Sequence, residues 1–134
     1  MSVHEIQHDS QTVPGPAGAL FVRSWRPPGQ AVASIVVAHG FKSHSRYYQW
    51  TGENLAAQGY STFALDLRGR GNSEGQRYFV QTMSDYARDV NVGVELAKSR
   101  EPHLPVFLLG AQYGLCCVVC FCTRSSIANQ WARL

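Results

Sequence analysis

The chain has 134 residues, of which 45% are hydrophobic and 16% charged, with a net charge of +3. This length and composition predict one globular domain, residues 1–134, with a single hydrophobic core. The small, dispersed charge forms no basic stripe for nucleic acid, and the apolar stretch 115–122 is far shorter than the roughly 20 residues that cross a bilayer. Residues 1–5 lack the basic start of an export signal, so we expect a cytoplasmic protein without a membrane span.

Apolar segments along the chain predict alternating strands and helices. Short segments rich in apolar and β-branched residues predict strands. The first two are expected to form an antiparallel hairpin, and the third to be a parallel strand buried on both faces. The predicted strands are residues 5–8, 18–25, 33–38, 60–66 and 106–109. Helical spacing of apolar residues predicts helices over 47–58 and 84–98, and a further helix after residue 110. This order predicts an α/β fold with a mainly parallel sheet and flanking helices.

All four cysteines lie between Cys116 and Cys122. Structural disulfides normally join distant segments, so cysteines crowded into one element do not indicate a disulfide framework. Cys117 and Cys120 have the spacing of a zinc or redox pair, but the sequence offers no second ligand pair. We therefore expect neither a metal nor a cofactor, and a cysteine-based metal or redox module stays the weaker alternative.

The segment Gly110-Ala111-Gln112-Tyr113-Gly114 follows the last predicted strand and has the outer glycines of a G-x-S-x-G nucleophile elbow. Gln112 occupies the position of the serine. An amide has no readily ionised proton, so it cannot become the attacking group of acyl transfer. The sequence thus predicts a hydrolase-like turn without its nucleophile.

A change of reading frame accounts for this glutamine. The five residues can be encoded by GGN GCA CAG TAT GGN, and deleting one G before CAC makes the bases read Gly-His-Ser-Met-Gly. In the same frame every cysteine codon becomes alanine or valine. We hypothesise that the chain from Ala111 onward is out of frame. Sequencing the coding DNA across Gly110 tests this, because bases that cannot yield His-Ser-Met would exclude it.

Three ordered motifs together resemble the α/β-hydrolase family, within its monoacylglycerol lipase and serine aminopeptidase-like branch. They are His39-Gly40-Phe41, the loop from Asp66 to Ser73, and the elbow-like turn at Gly110. The resemblance covers residues 5–114, whereas 115–134 diverge. It implies a parent enzyme that cleaves small or lipid-like carboxylic esters.

The resemblance also implies roles for individual residues. The His39-Gly40 turn is similar to the family's oxyanion loop, with backbone N–H groups of Phe41 and Tyr113 facing the developing negative charge. We interpret His39 as shaping this turn rather than transferring protons. Asp66 is expected to brace its loop, by accepting backbone N–H groups or pairing with Arg68. Gly110 and Gly114 are expected to allow the elbow turn.

The resemblance further implies that the family's acid and catalytic histidine follow later strands, so we expect a fold truncated after the fifth strand and an inactive chain. The fifth strand would then have an unpaired edge that favours non-specific self-association. The alternative function is a non-catalytic binding protein in which Gln112 hydrogen-bonds a ligand in the former acyl pocket.

Overall fold

The computed structural model describes residues 5–111 and 119–122, which form six strands and two α-helices. The strands are β1 (Gln7–Gly15), β2 (Gly18–Arg26), β3 (Ala33–Ala38), β4 (Tyr60–Leu65), β5 (Val106–Gly110) and β6 (Val119–Cys122). The helices are α1 (Gln49–Ala57) and α2 (Met83–Arg100). Neither helix of the described segments is both long and apolar enough to cross a membrane.

The strands form one sheet in the order β1-β2-β4-β3-β5-β6. β3 is parallel to both β4 and β5, and the remaining pairs are antiparallel. The predicted α/β class is therefore confirmed, with a mixed sheet whose parallel part is its centre. The expected opening hairpin is also present, but its first strand is displaced and longer: β1 shares only residues 7 and 8 with the predicted range 5–8, and all nine of its residues pair with β2.

The chain after β5 departs from the sequence-based expectation of a helix. Residues Val119–Cys122 form β6, which pairs antiparallel with residues 106–109 of β5. The prediction of an unpaired β5 edge is therefore wrong, because β6 takes its backbone hydrogen bonds. Short apolar runs suit a strand as well as a helix, so hydropathy alone did not distinguish them.

The two faces of the central sheet carry separate parts of the core. Val36 packs with residues of α2, whereas its neighbour Val37 packs on the other face with Trp25 of β2 and Ala56 of α1. This alternation follows from the two-residue period of a strand. α1 approaches the sheet closely at Gly52, where an added Cβ would overlap the Trp25 ring. Helices on both faces thus fix β3 and the turn that follows it.

A 3₁₀ turn, Ser45–Tyr48, precedes α1, so the predicted helix over 47–58 begins later than expected. Gly59 ends it with a φ of +94°, a conformation that glycine adopts without a Cβ clash. α2 extends the predicted helix over 84–98 at both ends.

Candidate active site

The carboxyl ends of the three parallel strands meet at one edge of the sheet. Ala38 lies opposite the last residue of β4 and opposite Gly110 of β5. His39, Asp66 and Ala111 therefore leave the sheet side by side, and the Ala111 N–H donates to the Ala38 carbonyl at 3.1 Å. Ligands of open α/β sheets bind outside this edge. The register makes it the candidate active site.

His39 is 2% exposed, and both of its ring nitrogens have partners. Nε2 lies 3.0 Å from the Leu67 nitrogen and accepts its N–H. Nδ1 lies 2.9 Å from the Gly40 carbonyl oxygen. Because Nε2 accepts, the network assigns the proton to Nδ1, which donates to Gly40. Burial lowers the pKa of His39, outweighing the Gly40 hydrogen bond and the nearby Asp66 carboxylate, which raise it.

The turn after β3 brings Phe41 to the surface. The Ser43 N–H donates to the Gly40 carbonyl at 3.2 Å, which closes a tight turn. The Phe41 ring is 51% exposed, and the guanidinium carbon of Arg70 lies 5.0 Å from its centroid. The same Gly40 carbonyl thus accepts from both His39 and Ser43, so the histidine and the turn support each other.

Asp66 is buried and connects two loops through its carboxylate. Oδ1 accepts the Ser45 N–H at 2.6 Å and Oδ2 accepts the Asn72 N–H at 2.9 Å. The Ser73 hydroxyl donates to the Asp66 backbone carbonyl. Gly71, with a φ of +47°, packs so tightly on the carboxylate that an added Cβ would overlap it. Both carboxylate oxygens therefore hold the loops beside the His39-Gly40 turn, which we call the oxyanion-like turn because it resembles the family's oxyanion loop.

Arg68 pairs with Asp89 of α2, not with Asp66. Its Nε and Nη2 donate to the two Asp89 carboxylate oxygens at 2.9 and 2.8 Å, and its backbone N–H donates to Oδ2 at 3.1 Å. The Asp89 hydrogen bond raises the pKa of Arg68, so the guanidinium stays charged. The alternative of an Asp66–Arg68 pair is therefore wrong, and Arg68 ties the loop after β4 to α2.

Asp89 is a structural partner that sequence reasoning missed. It is fully buried, on the α2 face that also carries Tyr86, Val90 and Val94. A charged residue within an otherwise apolar helix stripe is a signal for a buried partner, because an isolated carboxylate is costly to bury. Its position three residues after Tyr86 and four before Gly93 places it on the buried stripe of the helix.

Gln112, Tyr113 and Gly114 lie outside the described residues, so their predicted roles stay predictions. Gly110 is the last residue of β5, and no described atom would lie within 4 Å of an added Cβ there. The described ranges hold no group of three His, Cys, Asp or Glu side chains placed to bind a metal. The His44 ring packs against Tyr47, with their centroids 4.7 Å apart.

Comparison with known proteins supports the same fold. Monoglyceride lipase of Homo sapiens is 40% identical over 95 residues, which cover 71% of this chain and 31% of that protein. Monoacylglycerol lipase of Mycolicibacterium smegmatis is 32% identical over 90 residues, covering 67% of this chain and 32% of that protein. The chain thus spans about a third of the length of the curated relatives it matches.

The crystal structure of a soluble variant of monoglyceride lipase from Saccharomyces cerevisiae superposes with a TM-score of 0.70 at 19% identity. The match covers 84% of this chain and 38% of that one, and shows a shared fold. The family model for serine aminopeptidase, S33, matches residues 29–130, which include the turn, the Asp66 loop and the Gly110–Gly114 segment. The chain belongs to this serine aminopeptidase S33 family of α/β hydrolases.

Proposed function

We propose that this chain carries the oxyanion-loop portion of a serine hydrolase that cleaves carboxylic esters, of the monoacylglycerol lipase or esterase type. The observation that carries the proposal is the pairing of Ala38 with Gly110, which brings the start of the elbow segment beside the His39-Gly40 turn. A nucleophile elbow and an oxyanion loop must be adjacent in this way, because the attacked carbonyl has to contact both.

The substrate class follows from the relatives. Proteins named as monoglyceride or monoacylglycerol lipases match the chain over about two thirds of its residues, and a caffeoylshikimate esterase of Arabidopsis thaliana is 30% identical over 103 residues. Their names share one reaction type, the cleavage of a carboxylic ester. We accordingly propose a small or lipid-like ester as the parent enzyme's substrate, with no cofactor, and a cytoplasmic location.

We further propose that the 134-residue polypeptide does not turn over esters. Attack on an ester carbonyl needs a nucleophile and a base that takes its proton. Gln112 supplies neither a hydroxyl nor a thiol. The nearest histidine in the described part of the site, His39, donates through Nδ1 and accepts through Nε2. Backbone N–H groups of Phe41 and Tyr113 would stabilise an oxyanion, but they cannot create one.

The test uses the purified 134-residue chain with a serine-directed fluorophosphonate and a monoacylglycerol substrate. We expect no stoichiometric labelling and no turnover above a heat-denatured sample, whereas human monoglyceride lipase, run in parallel, should show both. Gln112→Ser should also stay inactive, since it adds a hydroxyl without freeing a base. Specific labelling or multiple turnovers by the unaltered chain would overturn the proposed inactivity.

The parent function has its own test in the coding DNA. We propose that residues 5–114 form the hydrolase-like part of the 1–134 domain and that the chain from Ala111 onward, including the divergent stretch 115–134, is out of frame. Sequencing across Gly110 should reveal bases that read His-Ser-Met in the alternative frame, followed by hydrolase-like codons. Bases incompatible with that reading would refute the frame hypothesis, and the fold assignment would stand.

A further inference from the structure

A buried arginine lies between two aromatic rings beside the oxyanion-like turn. The guanidinium carbon of Arg70 is 5.0 Å from the Phe41 ring centroid and 4.9 Å from that of Tyr78. Arg70 is 3% exposed, whereas Phe41 and Tyr78 are about half and two-thirds exposed. Its Nη2 donates to the Tyr86 hydroxyl of α2 at 3.2 Å. Stacking on ring faces lets a cation lose water at a reduced cost.

The backbone of Arg70 is held by a hydrogen bond on each side of the residue. The Arg70 N–H donates to the Leu67 carbonyl at 3.0 Å, and the Arg70 carbonyl accepts the Ser73 N–H at 3.0 Å. Arg70 also lies close enough to His39 to lower the pKa of that ring, although burial is the larger cause. The Arg70 backbone is therefore held within its own loop, and the Leu67 N–H of that loop also donates to His39 at the start of the Phe41 turn.

Backbone strain is concentrated at the same place. Among the described residues, Lys42 and Tyr78 are the two non-glycine residues with positive φ, at 57° and 59°. Lys42 directly follows Phe41, and Tyr78 carries the second ring. The Tyr78 N–H donates to the Gly69 carbonyl at 3.2 Å, which helps to hold this conformation. Such conformations persist only where surrounding contacts impose them, and these two lie next to the Phe41 ring and at the Tyr78 ring.

We propose that Arg70 is a positioning residue that fixes the Phe41 backbone, and with it the oxyanion-donating N–H, by stacking between the Phe41 and Tyr78 rings. The inference rests on the proposed function for the meaning of that N–H, but the geometric effect is independent of turnover. Arg70 is itself enclosed, so it acts through Phe41 and does not contact the substrate.

The experiment measures the ¹⁵N order parameter of the Phe41 amide in the complete chain, with the Val94 amide in α2 as an internal reference. We expect the Phe41 amide to be rigid, with an order parameter of ~0.85, and this value to fall below ~0.6 in Arg70→Met, which keeps an unbranched apolar side chain and removes the charge. Arg70→Lys should recover most of the rigidity, because it restores a cation. Val94 should change in neither variant.

Arg23→Met is the matched control. The Arg23 guanidinium carbon also lies over a phenylalanine ring, 4.9 Å from the centroid of Phe21, and its Nε donates to the Ser45 hydroxyl at 3.1 Å, so this variant removes a stacked arginine near the turn without removing a contact of the Phe41 ring. This variant should leave the Phe41 order parameter unchanged. An unchanged Phe41 amide in folded Arg70→Met, or a lysine variant no better than the methionine variant, would overturn the proposal.

A second variant decides the matter if Arg70→Met does not fold. Tyr78→Leu removes one ring and keeps the hydrogen bond from Arg70 to Tyr86, so Phe41 should become partly mobile. A Phe41 amide as rigid as in the unaltered chain would then count against the proposal. These outcomes are distinguishable from failure of the proposed function, which fluorophosphonate labelling reports separately.

Discussion

Replacing Asp89 with alanine should be among the most destabilising single changes outside the apolar core. The substitution removes the acceptor of three hydrogen bonds from Arg68 and leaves a guanidinium whose side chain is 15% exposed. Breaking a buried pair by removing one partner costs about 3–5 kcal/mol. Since domains are stable by only about 5–15 kcal/mol, we expect Asp89→Ala to lose a large fraction of the total.

Thermal and urea unfolding, followed by tryptophan fluorescence, to which the buried Trp25 contributes, and by circular dichroism, measure this loss. A cost of about 3–5 kcal/mol corresponds to a decrease in Tm on the order of 10–20 °C. Arg88→Ala is the control, because it removes an ion pair with Asp85 whose arginine is 60% exposed and should cost less than about 1 kcal/mol. Equal stability of the two variants would refute the reasoning.

Two further predictions concern the site. In the folded state the pKa of His39 lies below its unfolded value of about 6.5. The unfolded state therefore binds the proton more readily, and the free energy of unfolding should fall as pH decreases below ~6.5. Protonating Nε2 also breaks the hydrogen bond from the Leu67 N–H. The midpoint of urea unfolding, measured between pH ~5 and ~8, tests this prediction. Glutamine does not titrate, so His39→Gln should show a weaker dependence of stability on pH. A dependence identical to that of the unaltered chain would contradict the prediction. Gly71→Ala should lower the free energy of unfolding by about 1–3 kcal/mol, measured by thermal melting, because its Cβ would overlap the Asp66 carboxylate and its φ is positive. Gly29→Ala is the control and should be nearly neutral, because no atom in the part of the chain that the structure describes lies within 4 Å of the added Cβ. Equal losses of stability in the two variants would refute the packing argument.

The central strands could be predicted from sequence because their environment is uniform. β3 matches its predicted range, and β4 and β5 differ from theirs by one residue, since strands covered on both faces are short, mainly apolar runs. β1 was underestimated because most of its side chains are exposed and polar, and backbone pairing with β2 maintains it. Hydropathy carries no information on such pairing.

In the candidate site, positions set by the nearby sequence could be predicted, whereas contacts between residues distant in sequence could not. The position of the turn at His39 follows from the end of β3, and the position of Asp66 from the end of β4. The partners of Arg68 and Arg70 come from α2, Tyr78 and Phe41, which are 8 to 29 residues away in sequence. Residues this far apart meet only through tertiary packing, so the sequence motif indicated where these arginines lie but not what they contact.

The contacts that shape the oxyanion-like turn have a common origin. His39 is held by Gly40 and Leu67, Asp66 holds the turn before α1, and the loop after β4 is fastened to α2. Every partner in these bonds lies between residues 39 and 89, so none depends on the identity of residue 112. The hydrogen bonds that hold the His39-Gly40 turn and the segment that would carry a nucleophile are therefore separable in this fold, although the proposed second oxyanion donor, Tyr113, belongs to that segment. A change of frame after Gly110 would remove the second and leave the hydrogen bonds of the first in place.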